Sequence, residues 1–290
     1  MPEMPVAEPV GDAELERLEG AFVAAARLAE RAGFDGVDMK AVHGYLVAEL
    51  LGARLREGRY GGSYENRTRF LKNCLEGMRQ ALARETLVVS RLTVLEPSAY
   101  PYGWGVAERE GPWQADLAEP LRLVGELSAW GMPLHNVSMG YPRFQPHLNR
   151  PYDLPLAGCP PPPEEPLRGV VRFQETVRAV RQAAGGVPVA TAALSWLRQF
   201  APHVAAGLVR EGWCDLVGFG RNAFAYPEGP RDILERGGLA PEKCCVACSM
   251  CSQIMKDLEG RGGCVVRDAA VYVPEYRRGR EAARRRAAAN

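Results

Sequence analysis

The fold is decided by one stretch of sequence, GFDGVDMKAVHGYL, which runs from Gly33 to Leu46. Apolar residues at helical spacing begin after Asp12, which we expect to be the N-cap, and Gly33 ends that helix. The apolar run Phe34–Met39 then predicts a buried strand, and Lys40 follows at its end. A helix that leads directly into a buried strand is one repeat of an α/β protein.

The same alternation of helix and strand continues along the chain. Short apolar runs predict strands at 34–39, 87–92, 134–138, 187–191 and 214–219. Because a helix separates each strand from the next, we expect parallel pairing, either in an open doubly wound sheet or in a (β/α)8 barrel. No G-x-G-x-x-G turn follows a strand, and polar residues sit at several strand ends, which favours the barrel. Five of the eight barrel units are predicted.

Composition and charge exclude several classes of partner. The 36 basic and 35 acidic residues nearly cancel, so we expect neither nucleic acid nor an anionic membrane as a partner. No apolar run approaches the roughly 20 residues that span a bilayer. Met1–Val10 lacks the basic and apolar parts of a leader, which predicts a cytoplasmic protein. We expect a solvated helical tail where basic residues cluster, at Arg277, Arg278, Arg280, Arg284, Arg285 and Arg286.

Five of the eight cysteines crowd together near the end of the sequence. Cys245, Cys248, Cys251 and Cys264 have the spacing C-x2-C-x2-C-x12-C. Three thiolates at this short spacing can wrap one face of a cubane and the fourth can close it, which predicts a 4Fe–4S cluster. Zinc, which normally binds two separated C-x2-C pairs, and unliganded thiols are the alternatives. Cys244 stands outside this set, or replaces Cys245 in another register.

Two motifs resemble the old yellow enzyme family. The Gly33–Leu46 stretch resembles that family's fourth strand and following loop, and RYGGSYENRTRF at Arg59–Phe70 matches its YGGS-x-ENR-x-RF signature. Gly218–Arg221 is similar to the Gly-Arg phosphate-binding turn after the last barrel strand. The resemblance implies an FMN-binding (β/α)8 barrel and an oxidoreductase, which passes hydride from NAD(P)H through FMN to an activated alkene.

The resemblance also implies which residues bind the flavin. Arg91 matches the arginine beside the flavin N1 and C2 carbonyl, where a fixed cation stabilises the anionic reduced flavin. Gly220 and Arg221 match the phosphate-binding turn. Ala193 stands where family members commonly have glycine, whose backbone N–H approaches the phosphate.

Three further positions are implied to act on a small-molecule substrate of the enone or enoate type. Tyr45 matches the family's proton donor to the substrate α-carbon, and His43 matches a hydrogen-bond donor to its carbonyl oxygen. Lys40 departs from the family, which usually has histidine or tyrosine there. A lysine at this position suits a carboxylate or an enolate, or changes the type of reaction.

The cysteine spacing resembles the family's iron–sulfur branch, which includes trimethylamine dehydrogenase and 2,4-dienoyl-CoA reductase. We therefore expect residues 1–240 to form a partial FMN-binding TIM barrel, strands four to eight, and 241–290 to form the iron–sulfur segment and basic tail. The first three barrel strands have no counterpart. The chain is accordingly expected to be a truncated fragment, to need a partner chain that supplies those strands or a reductase domain, or to have an altered fold.

Other functions stay open on the sequence. One is an amine-oxidising dehydrogenase of the same fold, in which Tyr100, Tyr102 and Trp104 form a cage for a cation. A second is a non-catalytic electron-transfer subunit that holds a cluster without a competent flavin. A third is a structural zinc protein, which would hold neither flavin nor iron.

Overall fold

A computed structural model describes residues 8–257 and 261–288. The chain divides into two compact units, here called unit 1 (Met1–Tyr141 with Gln182–Pro188) and unit 2 (Pro142–Arg181 with Val189–Asn290). Most of the Met1–Val10 segment, which underlies the expected location, lies outside the described residues. Within the described part of the chain, no helix is long and apolar enough to cross a bilayer.

Unit 1 is built around three parallel strands, β1, β2 and β3. Strand β1 pairs with β2, and β2 pairs with β3. The elements in chain order are α1 (Asp12–Arg31), β1 (Gly36–Ala41), α2 (Leu46–Leu51), α3 (Tyr64–Ala81), β2 (Leu87–Thr93), α4 (Ala118–Trp130) and β3 (His135–Ser138).

Helix α3 forms as its sequence predicts. The Ser63 hydroxyl caps it by accepting the N–H of Asn66 at 3.3 Å. Phe70, Cys74 and Leu75, at helical spacing, are all buried at 1% exposure or less. Burying this stripe stabilises the helix against the rest of unit 1, because packing supplies most of a helix's stability in a protein.

The start of α1 differs from the prediction, and the assignment of Asp12 as the N-cap is wrong. Gly11 occupies the N-cap position and Asp12 is the first helical residue. The Asp12 carboxylate instead accepts the backbone N–H of Arg59 at 2.7 Å and pairs with Arg56 at 2.7 Å. These contacts hold the pKa of Asp12 below its ordinary value. The end of the helix is as predicted, since Gly33 follows it with φ +86°.

The long loop after β2 is packed rather than open. The Trp104 ring is fully buried, stacks on Tyr64 at a centroid distance of 6.4 Å and donates its Nε1–H to the Thr93 carbonyl at 3.2 Å. Tyr102, by contrast, is 69% exposed. Trp104 therefore packs in the core of unit 1 and is not available to the three-aromatic cation cage.

Unit 2 holds the other two strands, β4 and β5, which pair in parallel. Val170, Leu194, Ala201 and Ala205 form a core cluster in this unit. A 3-10 turn occupies Ser195–Phe200, and the elements are α5 (Pro146–Asn149), α6 (Pro166–Ala183), β4 (Val189–Thr191), α7 (Ala201–Arg210), β5 (Leu216–Val217), α8 (Gly220–Ala225), α9 (Gly229–Arg236), α10 (Met250–Asp257) and α11 (Ala269–Ala288).

The basic tail is helical, as expected, but it is not simply solvated. Arg280 pairs with the buried carboxylate of Asp257 at 2.9 Å, and Arg286 donates to the Asp257 carbonyl at 3.2 Å. Asp257 is the last residue of α10 and is 5% exposed. The arginines of α11 thus tie the two last helices together.

Candidate functional site

Polar side chains of unit 1 line up across the strand ends. Lys40 is the register partner of Arg91, and Arg91 is the partner of Asn136. Since side chains alternate between the two faces of a strand, Asp38 and Lys40 share one face while Met39 lies buried on the other. Asn136 donates to the Asp38 carboxylate at 2.8 Å, which links the first and third strands across this face.

The Ser138 hydroxyl joins the two candidate residues His43 and Arg91. His43 Nε2 lies 3.0 Å from Ser138 Oγ, and Arg91 Nη2 donates to the same oxygen at 3.3 Å. Arg91 Nε is buried and has no hydrogen-bond partner among the described residues. Burial lowers the pKa of the Arg91 guanidinium and the Asp38 charge opposes that shift, but an arginine remains a cation. The site therefore presents a buried donor that needs an acceptor, such as a flavin carbonyl.

His43 and Gly44 form a turn in which both residues are left-handed, with φ of +69° and +65°. A Cβ on Gly44 would lie 1.8 Å from the Tyr141 ring, so glycine is required there. A left-handed histidine is uncommon and is held in place by its surroundings. Here the Glu96 carboxyl accepts the His43 N–H at 2.7 Å.

Glu96 is an ionisable group that no sequence motif singled out. Its side chain is 3% exposed, and burial raises its pKa to about 8, with the charge of Glu49 adding to the rise. The N–H groups of His43 and Gly44 oppose that shift. The raised pKa favours the protonated form of Glu96 at neutral pH, at a side chain that bonds the backbone of the His43 turn.

Lys40 has an aromatic partner instead of an acidic one. Its Nζ lies 3.4 Å from the centroid of the Tyr45 ring, a cation–π contact. Both side chains are exposed, and Tyr45 is 60% exposed. Among the described residues no carboxylate lies within ion-pairing distance of Lys40. Its charge is therefore available to a bound anion.

In unit 2, the four predicted cluster ligands are near one another. The charges of Cys251, Cys248 and Cys264 each raise the pKa of Cys245, after burial, which is the largest cause. In the part of the chain that the structure describes, no three His, Cys or acidic side chains are grouped to hold a single metal ion. A cubane has an iron at each of four corners, so its thiolates bind different irons and lie farther apart than the ligands of one zinc ion.

Hydrogen-bond donors already point at the cysteine sulfurs. Cys251 Sγ accepts from the guanidinium of Arg221 at 3.2 Å. Cys245 and Cys264 each accept a backbone N–H at 3.4 Å, the donors being Ala247 and Arg267. Donors of this kind stabilise thiolates and tune iron–sulfur clusters.

The backbone around Cys248 is held in an unusual conformation. Its neighbours Ala247 and Ser249 are both left-handed, with φ of +53° and +59°, although neither is glycine. Strain of this kind persists where the surroundings impose it, often at ligand sites. Asn222 of α8 accepts the Cys245 N–H at 3.0 Å and so ties this loop to the helix that follows β5.

The predicted flavin and substrate residues fall in both units. Unit 1 brings together Lys40, His43, Tyr45 and Arg91. Unit 2 holds the phosphate-binding candidates: Ala193, left-handed with φ +69° after β4, and the first two residues of α8, Gly220 and Arg221. The guanidinium of Arg221 donates to Cys251 Sγ, so the structure places Arg221 beside the grouped cysteines.

The first part of the chain is similar to a known family. Residues 6–108 match the NADH:flavin oxidoreductase / NADH oxidase family, in agreement with the predicted resemblance. The chain is 34% identical to an NADPH dehydrogenase of Clostridium acetobutylicum over 138 residues, 47% of this chain and 40% of that relative. It is 26% identical to a dimethylamine dehydrogenase of Hyphomicrobium over 273 residues, 92% of this chain and 32% of that relative.

Solved structures show the same fold. A 2-naphthoyl-CoA reductase matches 90% of this chain with a TM-score of 0.68 and 24% identity, over 35% of its own length. An old yellow enzyme homologue from Zymomonas mobilis matches 82% with a TM-score of 0.54 and 21% identity, over 57% of its length. The predicted barrel class is therefore confirmed. The chain spans about a third to two fifths of the length of the curated relatives.

The raised pKa of Glu96 predicts a pH-dependent stability. The folded protein keeps the proton up to about pH 8, whereas the unfolded chain releases it near the ordinary pKa of 4.5. Stability therefore falls as pH rises between those values. We expect Glu96→Gln to gain stability relative to the parent protein from about pH 5 to about pH 8.5, by on the order of a few kcal/mol.

Urea denaturation followed by tryptophan fluorescence at the two pH values measures this difference. Glu110→Gln, at an exposed carboxylate of the same loop, is the matched control and should leave the pH dependence unchanged. An identical pH dependence for Glu96→Gln and the parent protein would show that Glu96 is ionised in the folded state.

Proposed function

We propose that this protein is an FMN- and iron–sulfur-dependent oxidoreductase that reduces an enone- or enoate-type substrate with electrons from NAD(P)H. The observation that carries the proposal is the group formed by Arg91, Ser138 and His43, in which a buried guanidinium N–H lacks an acceptor. The family match over residues 6–108 supports flavin and NADH as the cofactors.

Each residue of this group has a chemical task. FMN, which Arg91 would help to hold, would supply hydride-transfer chemistry when bound, with NAD(P)H as its reductant. Arg91 places a fixed cation where the reduced flavin carries negative charge. His43 donates from its imidazole to the substrate carbonyl oxygen, and Ser138 holds that ring in place. The proton for the α-carbon comes from Tyr45.

The charges of unit 1 favour an acidic substrate over an amine. Lys40 and Arg91 are register partners, so two cations stand side by side at the ends of β1 and β2. They attract a carboxylate and repel an alkylammonium ion. Amine oxidation remains the second candidate, because the dimethylamine dehydrogenase is similar over 92% of this chain.

We further propose that Cys245, Cys248, Cys251 and Cys264 hold a 4Fe–4S cluster. Donors already aimed at three of the sulfurs and the strained loop around Cys248 support this assignment. The bound cluster would let electrons leave the flavin singly. Because free thiols that bind iron suit a reducing compartment, we keep the cytoplasm as the proposed location.

A partner chain is the last part of the proposal. Among the described residues, β1 pairs with β2 and stands at the end of the strand order. An open strand edge presents backbone groups that can pair with another strand. We propose that a second polypeptide supplies the remaining barrel strands against β1, or a reductase domain.

Native mass spectrometry should find that second polypeptide bound to the flavin-loaded protein. A lone chain with full flavin content would contradict the proposal of a partner chain.

The cluster assignment predicts a specific loss of iron. Cys251→Ala removes a proposed ligand and the acceptor for Arg221, so iron should fall well below the roughly four atoms per chain of an intact cluster. Cys159→Ala is the matched control, because Cys159 is a free, half-buried cysteine outside the proposed set. Iron and acid-labile sulfide are assayed on both anaerobic samples. Equal iron in the two variants would exclude Cys251 as a ligand.

The preference for an anion predicts a selective effect at Lys40. Lys40→Met should weaken binding of an α,β-unsaturated carboxylate about tenfold, which is about 1.4 kcal/mol, and leave a neutral enone unchanged. Lys40→Arg, which keeps the charge, should retain most of the affinity. Flavin difference spectra during titration report both ligands. Equal weakening of the two ligands, or tighter binding of dimethylammonium to the parent protein, would favour the amine-oxidising alternative.

A further inference from the structure

Arg150 lies beside the proposed cluster, although its sequence position gives no hint of a role. It follows α5, and its Nη2 donates to Ser249 Oγ at 3.1 Å. Ser249 is 2% exposed and is the left-handed residue directly after Cys248. Arg150 reaches across 99 positions of sequence to make this contact. A single guanidinium therefore holds the centre of the cysteine loop.

The ionisable groups that act most strongly on Arg150 include two cysteines and no carboxylate. Burial lowers the pKa of its guanidinium and the nearby Arg221 lowers it further, while Cys251 and Cys245 oppose both effects. Within the described residues, neither arginine forms an ion pair with an acidic side chain. Two adjacent, partly buried cations are costly unless an anion lies next to them. The thiolate ligands of a bound cluster would supply that negative charge.

The rest of the contact keeps the guanidinium in position. Its carbon lies 5.1 Å from the centroid of the Tyr152 ring, a cation–π distance, and Tyr152 is 3% exposed. The ring and the Ser249 hydroxyl together set where the charge sits. A flexible lysine ammonium would keep the charge but lose the planar contact with the ring.

We propose that Arg150 raises the reduction potential of the iron–sulfur cluster. The cluster gains one unit of negative charge when it takes one electron and the flavin loses one. A fixed cation bonded to Ser249, the residue after Cys248, stabilises the more negative, reduced state, since net charge and contacts near the sulfurs set the potential. This inference rests on the proposed cluster and adds a residue outside the ligand set.

An EPR-monitored redox titration tests the inference on the anaerobic, full-length protein with its iron counted. Arg150→Gln should lower the equilibrium constant for cluster reduction about tenfold, a shift of about 59 mV to lower potential for a one-electron couple. Arg150→Lys should keep most of the parent potential. Arg143→Gln, at an exposed arginine seven positions earlier in the same loop region, is the matched control and should not shift it.

The outcomes separate this inference from the cluster assignment. Absence of iron from the parent protein overturns both. A cluster present in Arg150→Gln with an unchanged potential overturns the role of Arg150 alone. If Arg150→Gln loses iron while Arg150→Lys keeps it, the charge is required to hold the anionic cluster, which supports the inference. Loss of iron from both variants assigns Arg150 a purely structural role and contradicts it.

Discussion

The candidate site of unit 1 depends on the parallel, in-register pairing of β1 with β2. That register makes Lys40 the neighbour of Arg91, and the next pairing brings Ser138 to the same edge. Parallel strands end together, so polar residues far apart in sequence converge there. His43 can reach Ser138 because the turn after β1 is left-handed at two consecutive residues. The buried carboxyl of Glu96 holds that turn.

A second constraint shapes the cysteine loop of unit 2. Thiolates in a partly buried place need donors and positive charge, since burial by itself raises the pKa of Cys245 and Cys248. Two backbone N–H groups and the arginines Arg150 and Arg221 meet that need. The proposed cluster would benefit from the same arrangement, because the charge that stabilises thiolates would also stabilise its reduced state.

The periodic parts of the fold were readable from sequence. The five predicted strands are present, and α3 begins after the Ser63 cap, because apolar spacing and capping are local signals. The short helices and the contacts of Glu96 and Arg150 could not be predicted from the sequence. Glu96 is 53 positions from its partner His43, and Arg150 is 99 positions from Ser249. No local sequence pattern therefore indicates either contact. The N-cap prediction for Asp12 was wrong for the same reason, because its carboxylate binds a loop that is distant in sequence.

We propose two redox centres in one protein, and an anaerobic reductive titration tests this proposal most directly. Absorbance follows the flavin, and EPR follows the cluster, as reductant is added stepwise. We predict uptake of about three electrons per chain, two by FMN and one by a 4Fe–4S cluster, with both signals changing in the same sample. A protein that takes up no electrons, or in which only one of the two signals changes, would contradict this.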